Sequence, residues 1–264
     1  MFKFKDEDFD ILKIADSGQC FRINRCNDGR WLAIASDKYC YVDDNNYPEI
    51  EILCNDEDNG FWHSYFDLDT DYALIRKSAD KNDAFLMAAA EYGKGIRILR
   101  QDPWEMLITF IISQRKNIPA IKSCVEKLCF KFGNEIGDGI YSFPSAEALM
   151  SKGISGLEDC SLGYRTEYVY LAAKAVCDKT INLDELKTLS DADLMEELLK
   201  LKGVGIKVAN CVSLFGFHRI GAFPIDVWID RVQKEYYQGH FPVERYAGYA
   251  GVMQQFIFYY IRSR

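Results

Sequence analysis

The apolar residues change period near residue 80, and that change dictates a chain built from two kinds of element. Before it, Phe21 and Ile23 alternate with Arg22 and Asn24 within 20–26, and Asn27-Asp28-Gly29 supplies a turn. Runs at 30–36, 38–43 and 49–54 follow, separated by breaks such as Asp43-Asp44-Asn45-Asn46. The spacing predicts an antiparallel meander with one buried face. From residue 83 helical periodicity takes over. Asp102, Pro103 and Glu105 offer an N-cap, a first-turn proline and a capping-box acid ahead of an apolar run at 106–112. Further helices are predicted from Asn117 to Gly133, over 165–177, over 191–200 behind Ser190, and over 206–217, 227–237 and 243–262. The expected fold is α+β, with an N-terminal antiparallel β-sheet domain at 1–82 and a mainly α-helical core at 83–264.

Several classes are excluded early. No run of about 18 apolar residues occurs, so no membrane span or membrane partner is expected. Met1-Phe2-Lys3-Phe4-Lys5-Asp6 has no apolar signal stretch. Nine scattered cysteines read as reduced thiols of an intracellular protein. His63, His218 and His240 show no metal-ligand spacing, so neither a metal nor a cofactor is expected. No heptads mark an obligate oligomer, and a monomer is expected.

The net charge of −8 at first argues against a nucleic-acid partner. It is unevenly spread. Residues 1–93 carry 20 acids and 10 bases, whereas 94–264 carry 20 acids and 22 bases. Lys94, Arg97, Arg100, Arg115, Lys116, Lys122, Lys127 and Lys131 face only Asp102, Glu105 and Glu126 within 94–132. Binding DNA needs a local positive face, not a basic whole, though solvated helix faces account equally well for single bases.

Chemistry concentrates in Leu201-Lys202-Gly203-Val204-Gly205-Ile206-Lys207-Val208-Ala209-Asn210. Leu194, Leu198 and Leu201 share one helix face before it, and Ala209 is small where the next helix crosses. Gly203 and Gly205 allow a tight turn and expose N–H groups at the positive end of a helix. The segment, at about 191–217, resembles the helix-hairpin-helix motif that grips a DNA phosphate without reading sequence. An αα-hairpin without a ligand is the plainer alternative. Further on, Phe223-Pro224-Ile225-Asp226-Val227-Trp228 places Asp226 where an N-cap belongs. A cap alone would satisfy that pattern. A hairpin followed by such a loop also resembles the helix-hairpin-helix DNA glycosylase superfamily, whose loop ends in an essential aspartate.

Within that superfamily, a lysine at position 207 marks members that form a Schiff base with the sugar and can break the strand by β-elimination. The amine must be neutral part of the time, although free lysine titrates near 10.4. Burial and a helix N-terminus would favour the neutral form. Asp226 would stabilise the sugar cation that develops as the base departs. Lys202 is the alternative phosphate contact, distinguished from Lys207 only by register.

Four more segments, in order along the chain, resemble the 8-oxoguanine DNA glycosylases. They are Ser17-Gly18-Gln19-Cys20-Phe21-Arg22, Leu99-Arg100-Gln101-Asp102-Pro103, Leu162-Gly163-Tyr164-Arg165 and Tyr246-Ala247-Gly248. The resemblance implies a bifunctional glycosylase and lyase acting on double-stranded DNA that contains 8-oxoguanine. In that family a glycine carbonyl at the Gly18 position accepts the N7–H that distinguishes the lesion from guanine. The wrong base would leave that carbonyl unpaired, at a cost of about 1–3 kcal/mol. Here too a plain turn glycine fits the pattern.

By the same resemblance Cys211 sandwiches the base, although a small buried hydrophobe fits equally. Tyr164 is the wedge that fills the gap left by the flipped base, and Arg165 partners the orphaned opposite base. Gly203 and Gly205 hold the phosphate.

Departures are also visible. Arg115-Lys116-Asn117 stands where the eukaryotic members carry three asparagines, leaving Arg115 and Asn117 as the candidate DNA contacts. Ala120 falls where they place a second cytosine-reading arginine, so relaxed choice of the opposite base is expected. Gly251 and Gln255 fall on their pocket glutamine and phenylalanine, which leaves Met253 or Phe256 to stack on the base. Trp228 replaces a phosphate-contacting histidine. The rival readings are a glycosylase for another damaged base and a non-catalytic hairpin module. No cysteine follows Cys211, so the iron–sulfur loop of some relatives cannot be built. A chain lacking basic tail and transit peptide suggests prokaryotic cytoplasm.

Overall fold

A computed structural model describes all residues, 1–264. Strand β1 (Phe2–Lys5) and helix α1 (Ile11–Asp16) come first, then β2 (Ile23–Arg25), β3 (Trp31–Ala35), β4 (Lys38–Asp43) and β5 (Glu49–Leu53). Helices α2 (Asn59–Tyr65), α3 (Tyr72–Lys77), α4 (Ala84–Tyr92), α5 (Pro103–Ser113) and α6 (Ile118–Phe132) follow. A ribbon of β6 (Glu135–Gly137) and β7 (Ile140–Tyr141) precedes α7 (Ala146–Met150), α8 (Gly153–Gly156) and α9 (Arg165–Cys177). Helices α10 (Leu183–Leu186), α11 (Asp191–Leu199), α12 (Ile206–Phe215), α13 (Val227–Tyr236) and α14 (Ala250–Arg262) complete the chain. The α+β class and the antiparallel N-terminal sheet match the expectation.

The sheet has the order β1-β5-β4-β3-β2. Its meander is the expected one, while β1 joins as an edge strand through Phe2↔Ile52 and Phe4↔Ile50. Cys40, Val42, Ile50 and Ile52 alternate inward as a half-buried sheet requires. Strand β3 departs from that pattern, with Trp31, Ala33, Ile34 and Ala35 all buried. The first 82 residues are also not purely β, for α1, α2 and α3 lie among them. These helices have only six or seven residues, too short for periodicity to show.

The contacts divide the chain into two compact units that do not follow that linear change of texture. The first holds residues 1–33, 40–100 and 218–264, and the second 34–39 and 101–217. In the first, Phe9, Trp62, Phe66 and Tyr72 build an aromatic core, and α14 packs on α4 and α13. The centre of the second is α5, whose residues 106–112 are all buried, as expected of a helix covered by α6, α9 and α12. Asp102 caps α5 by accepting from the Glu105 N–H at 2.9 Å. The Glu105 carboxylate accepts from the Ser36 N–H, which ties the hairpin tip of the sheet into this unit. The helix expected over 243–262 is broken. Residues 243–246 form a short 3-10 turn, Gly248 takes φ +91, and α14 begins at Ala250.

Candidate DNA glycosylase site

The second unit carries the hairpin. Ser190 caps α11, and Leu194, Leu198 and Leu201 bury the expected face. The two glycines have different work. Gly203 sits at φ +86, and a Cβ there would stand 2.4 Å from the Tyr168 ring. Gly205 has an ordinary φ of −94 and open space beside its Cα. Its bareness leaves the first N–H groups of α12 with no side-chain cap, facing outward. Lys207 lies half-buried in that first turn, its Nζ 5.3 Å from the centre of the Phe110 ring. Phe110 in turn stacks on Phe215 at 5.4 Å. Cys211, one turn on, is buried. Lys202 is exposed and paired with Glu167 at 2.7 Å.

Gln114, Arg115, Tyr164, Tyr168, Gly203, Val204 and Gly205 line one cleft of about 590 Å³. Four of the expected DNA contacts, Arg115, Tyr164, Gly203 and Gly205, thus converge. Tyr164, the expected wedge, is 52% exposed. Tyr168 and Gln114 are additions that the motifs did not reveal. Tyr168 meets Tyr164 edge-on at 6.0 Å, one helical turn away. Gln114 donates from Nε2 to Ile111 O and Gly203 O, both at 3.0 Å, and so ties the end of α5 to the hairpin. Arg115, exposed and at φ +52, projects from the same turn.

Two expected contacts are occupied otherwise. Arg165 is 6% exposed. Its Nε and Nη2 donate to Gln114 O and its Nη1 to Leu162 O at 3.0 Å. The guanidinium fastens the Leu162–Arg165 turn to the end of α5. Asn117 caps α6 by accepting from the Ala120 N–H at 2.9 Å.

In the first unit, Gly18 follows the end of α1 at φ +76, the left-handed position that favours glycine there. Its neighbours lock it. Ser17 Oγ donates to Ile14 O, while the buried Gln19 donates to Arg97 O at 2.7 Å and accepts from Leu99 N at 2.9 Å. The motif residues around Gly18 thus hold its backbone still. Asp226 is half-buried and caps α13. Oδ1 accepts from Trp228 N at 3.0 Å and Ile229 N at 2.9 Å, and Oδ2 is left over. Ile225, Val227 and Trp228 form an exposed apolar rim beside it. Met253 and Phe256 are fully buried, and a Cβ on Gly93 would stand 2.6 Å from the Phe256 ring. Phe256 is therefore firmly packed against the end of α4.

A helical hairpin with a bare helix N-terminus, an adjacent tyrosine-lined cleft and a capping aspartate after the hairpin define a helix-hairpin-helix glycosylase scaffold. Comparison narrows the class. Residues 1–107 match the family of the 8-oxoguanine DNA glycosylase, N-terminal domain. The structure of MBOgg1 in complex with a low-affinity DNA ligand is 35% identical, with a TM-score of 0.92 over 100% of this chain and 99% of that one. The Clostridium acetobutylicum 8-oxoguanine glycosylase/lyase, solved with double-stranded DNA containing cytosine opposite 8-oxoG, is 32% identical, with a TM-score of 0.91 over 100% and 98%. An N-glycosylase/DNA lyase of Saccharomyces cerevisiae is 42% identical over 160 residues, 55% of this chain and 43% of its own. Across three curated relatives the matched stretches span 43% to 61% of their length. The chain belongs to the 8-oxoguanine DNA glycosylase family.

Proposed function

We propose that this protein excises 8-oxoguanine from double-stranded DNA and then cleaves the strand, using Lys207 as nucleophile. The observation that carries the reading is the exposed N-terminal turn of α12. It offers uncapped N–H groups to a phosphate and carries Lys207 in the same turn. Bound duplex would lose the damaged base from its stack, with Tyr164 filling the gap. The flipped base would set its N7–H on the Gly18 carbonyl and stack on a side chain of α14. Met253 is the better candidate for that contact, since Phe256 is committed to Gly93. Nζ of Lys207 attacks C1′ of the sugar and the base departs. Oδ2 of Asp226 stabilises the cation that develops, while Oδ1 keeps the carboxylate oriented. Loss of the amine proton and opening of the C1′–O4′ bond turn the adduct into a Schiff base, which acidifies C2′; loss of a C2′ proton then expels the 3′-phosphate and breaks the strand. No metal or cofactor is needed by this chemistry.

Opposite-base choice would rest on Arg115 in place of the buried Arg165. A good bidentate contact is worth about 1–3 kcal/mol, or about 5- to 150-fold, and with Arg165 occupied the preference for cytosine should be lowered by a factor in that range. The proposed setting is the inside of a cell, with all nine cysteines free. Prokaryotic cytoplasm is favoured by the full-length match to the clostridial enzyme. No helix is long and apolar enough to cross a membrane.

Base release and strand cleavage on duplexes carrying one 8-oxoguanine opposite each of the four bases test the reading. Release of the lesion from all four, with modest differences among them, is the expected result. Intact strands and no released base, with duplex binding preserved, would leave only a DNA-binding hairpin module.

A further inference from the structure

Within the first unit a buried polar cluster lies at the start of the segment that leads to Asp226. The chain re-enters this unit at His218, soon after α12 ends. His218 Nε2 lies 3.2 Å from Ile98 O and 3.3 Å from Asp67 Oδ2. A carbonyl oxygen only accepts, so Nε2 carries the hydrogen that both oxygens share. Asp67, 1% exposed, also accepts from Tyr72 Oη at 2.7 Å and from Arg100 Nε at 2.8 Å. Both Asp67 and His218 adopt left-handed backbone, at φ +50 and +51, which residues with side chains seldom do. Such conformations persist where the surroundings over-determine them, and they gather at functional segments. Beyond His218 the segment is held further, and Phe223 stacks on Phe241 at 5.0 Å. Ile220 O accepts from Gly251 N at 2.8 Å, and Pro224 O accepts from Gln254 Nε2 at 3.2 Å. Asp226 follows directly.

We propose that Asp67 and His218 form a buried catch that positions the Asp226 carboxylate for excision, and that His218 is a positioning residue of the reaction. The inference rests on the excision reading given above. The later contacts fix the middle and end of the segment, and the catch acts at its start. Without the catch, the strained turn at His218 relaxes and Asp226 arrives displaced. A small displacement of a group aimed at the reacting carbon costs rate without costing duplex affinity, because the phosphate contacts belong to the hairpin.

The test compares His218→Ala and His218→Gln with the parent protein. Single-turnover release of 8-oxoguanine, affinity for a duplex holding an uncleavable abasic analogue, and backbone hydrogen exchange over 219–229 are measured together. Single-turnover release should fall at least about tenfold in His218→Ala, with affinity unchanged and exchange faster over that segment alone. His218→Gln, whose amide can still donate to Ile98 O, should recover part of the rate. Parent-like release by His218→Ala overturns the proposal, and so does a proportional loss of rate and affinity with exchange raised throughout. A parent protein that releases no base fails the excision reading instead. Hydrogen exchange then decides the catch by itself: localised loosening supports it and unchanged protection refutes it.

Discussion

Asp226 shows how one side chain would serve structure and the proposed chemistry together. As an N-cap it is held by two N–H groups on one oxygen, which aims the other oxygen without further contacts. Asparagine caps a helix about as well as aspartate, whereas alanine costs about 1 kcal/mol. Asp226→Asn should therefore melt close to the parent temperature while its excision rate falls by about 100-fold or more, since the charge proposed to face the sugar cation is gone. Thermal melts beside single-turnover assays check both halves. A variant that keeps its rate would make Asp226 a cap and nothing else. At this scale the sequence was legible in local conformation, as at the Asp226 cap and the left-handed Gly18. It was not legible at Arg165, whose burial against Gln114 and Leu162 depends on where α5 ends relative to α9. Gln114 itself belongs to no recognisable pattern, because its partners Ile111 and Gly203 lie on separate elements.

At the element scale the hairpin separates two glycines that a G-x-G pattern treats alike. Gly203 is required by a left-handed backbone and by the Tyr168 ring, so Gly203→Ala should lose about 1–3 kcal/mol of stability. Gly205 has room for a methyl group. Gly205→Ala should lower stability less and mainly weaken duplex binding, by crowding the bare first turn of α12. Chemical unfolding and duplex titrations distinguish the two, and equal effects on both readouts would contradict the division of labour. Long periodic elements were readable: α6, α9, α11 and α12 begin within a residue of their expected starts. The short α2 and α3 were not, since less than two turns leaves no period to detect. The break before α14 escaped notice because Tyr246 and Tyr249 continue an apolar pattern across Gly248.

For the whole molecule, the acidic balance of the sequence has a buried counterpart. Burial alone would raise the Asp67 carboxyl, but the hydrogen bond and charge of His218, with hydrogen bonds from Tyr72 and Thr70, hold it well below the ordinary carboxylate range. In an unfolded chain an aspartate titrates near 3.9. The folded value is the lower one, so the stability this group contributes is complete above the unfolded value and drains away as pH falls below it toward the folded one. Acid titration followed by circular dichroism should show Asp67→Asn losing less stability between neutral and strongly acidic pH than the parent. An equal loss would contradict the assignment.

The two compact units were the least legible feature of all. Nothing local in 218–264 announces that this stretch groups with the sheet and not with the hairpin. Side chains such as His218 on Asp67 and Phe256 on Gly93 establish it through contacts distant in sequence.

The claim on which the account turns is that the Lys207 amine attacks the sugar. Borohydride reduction of the protein reacting with an 8-oxoguanine duplex, followed by digestion and mass mapping of the cross-linked peptide, tests it most directly. The account predicts a single adduct on Lys207, absent from Lys207→Gln. An adduct on Lys202 or on the Met1 amine, or base release with nothing trapped, would contradict it.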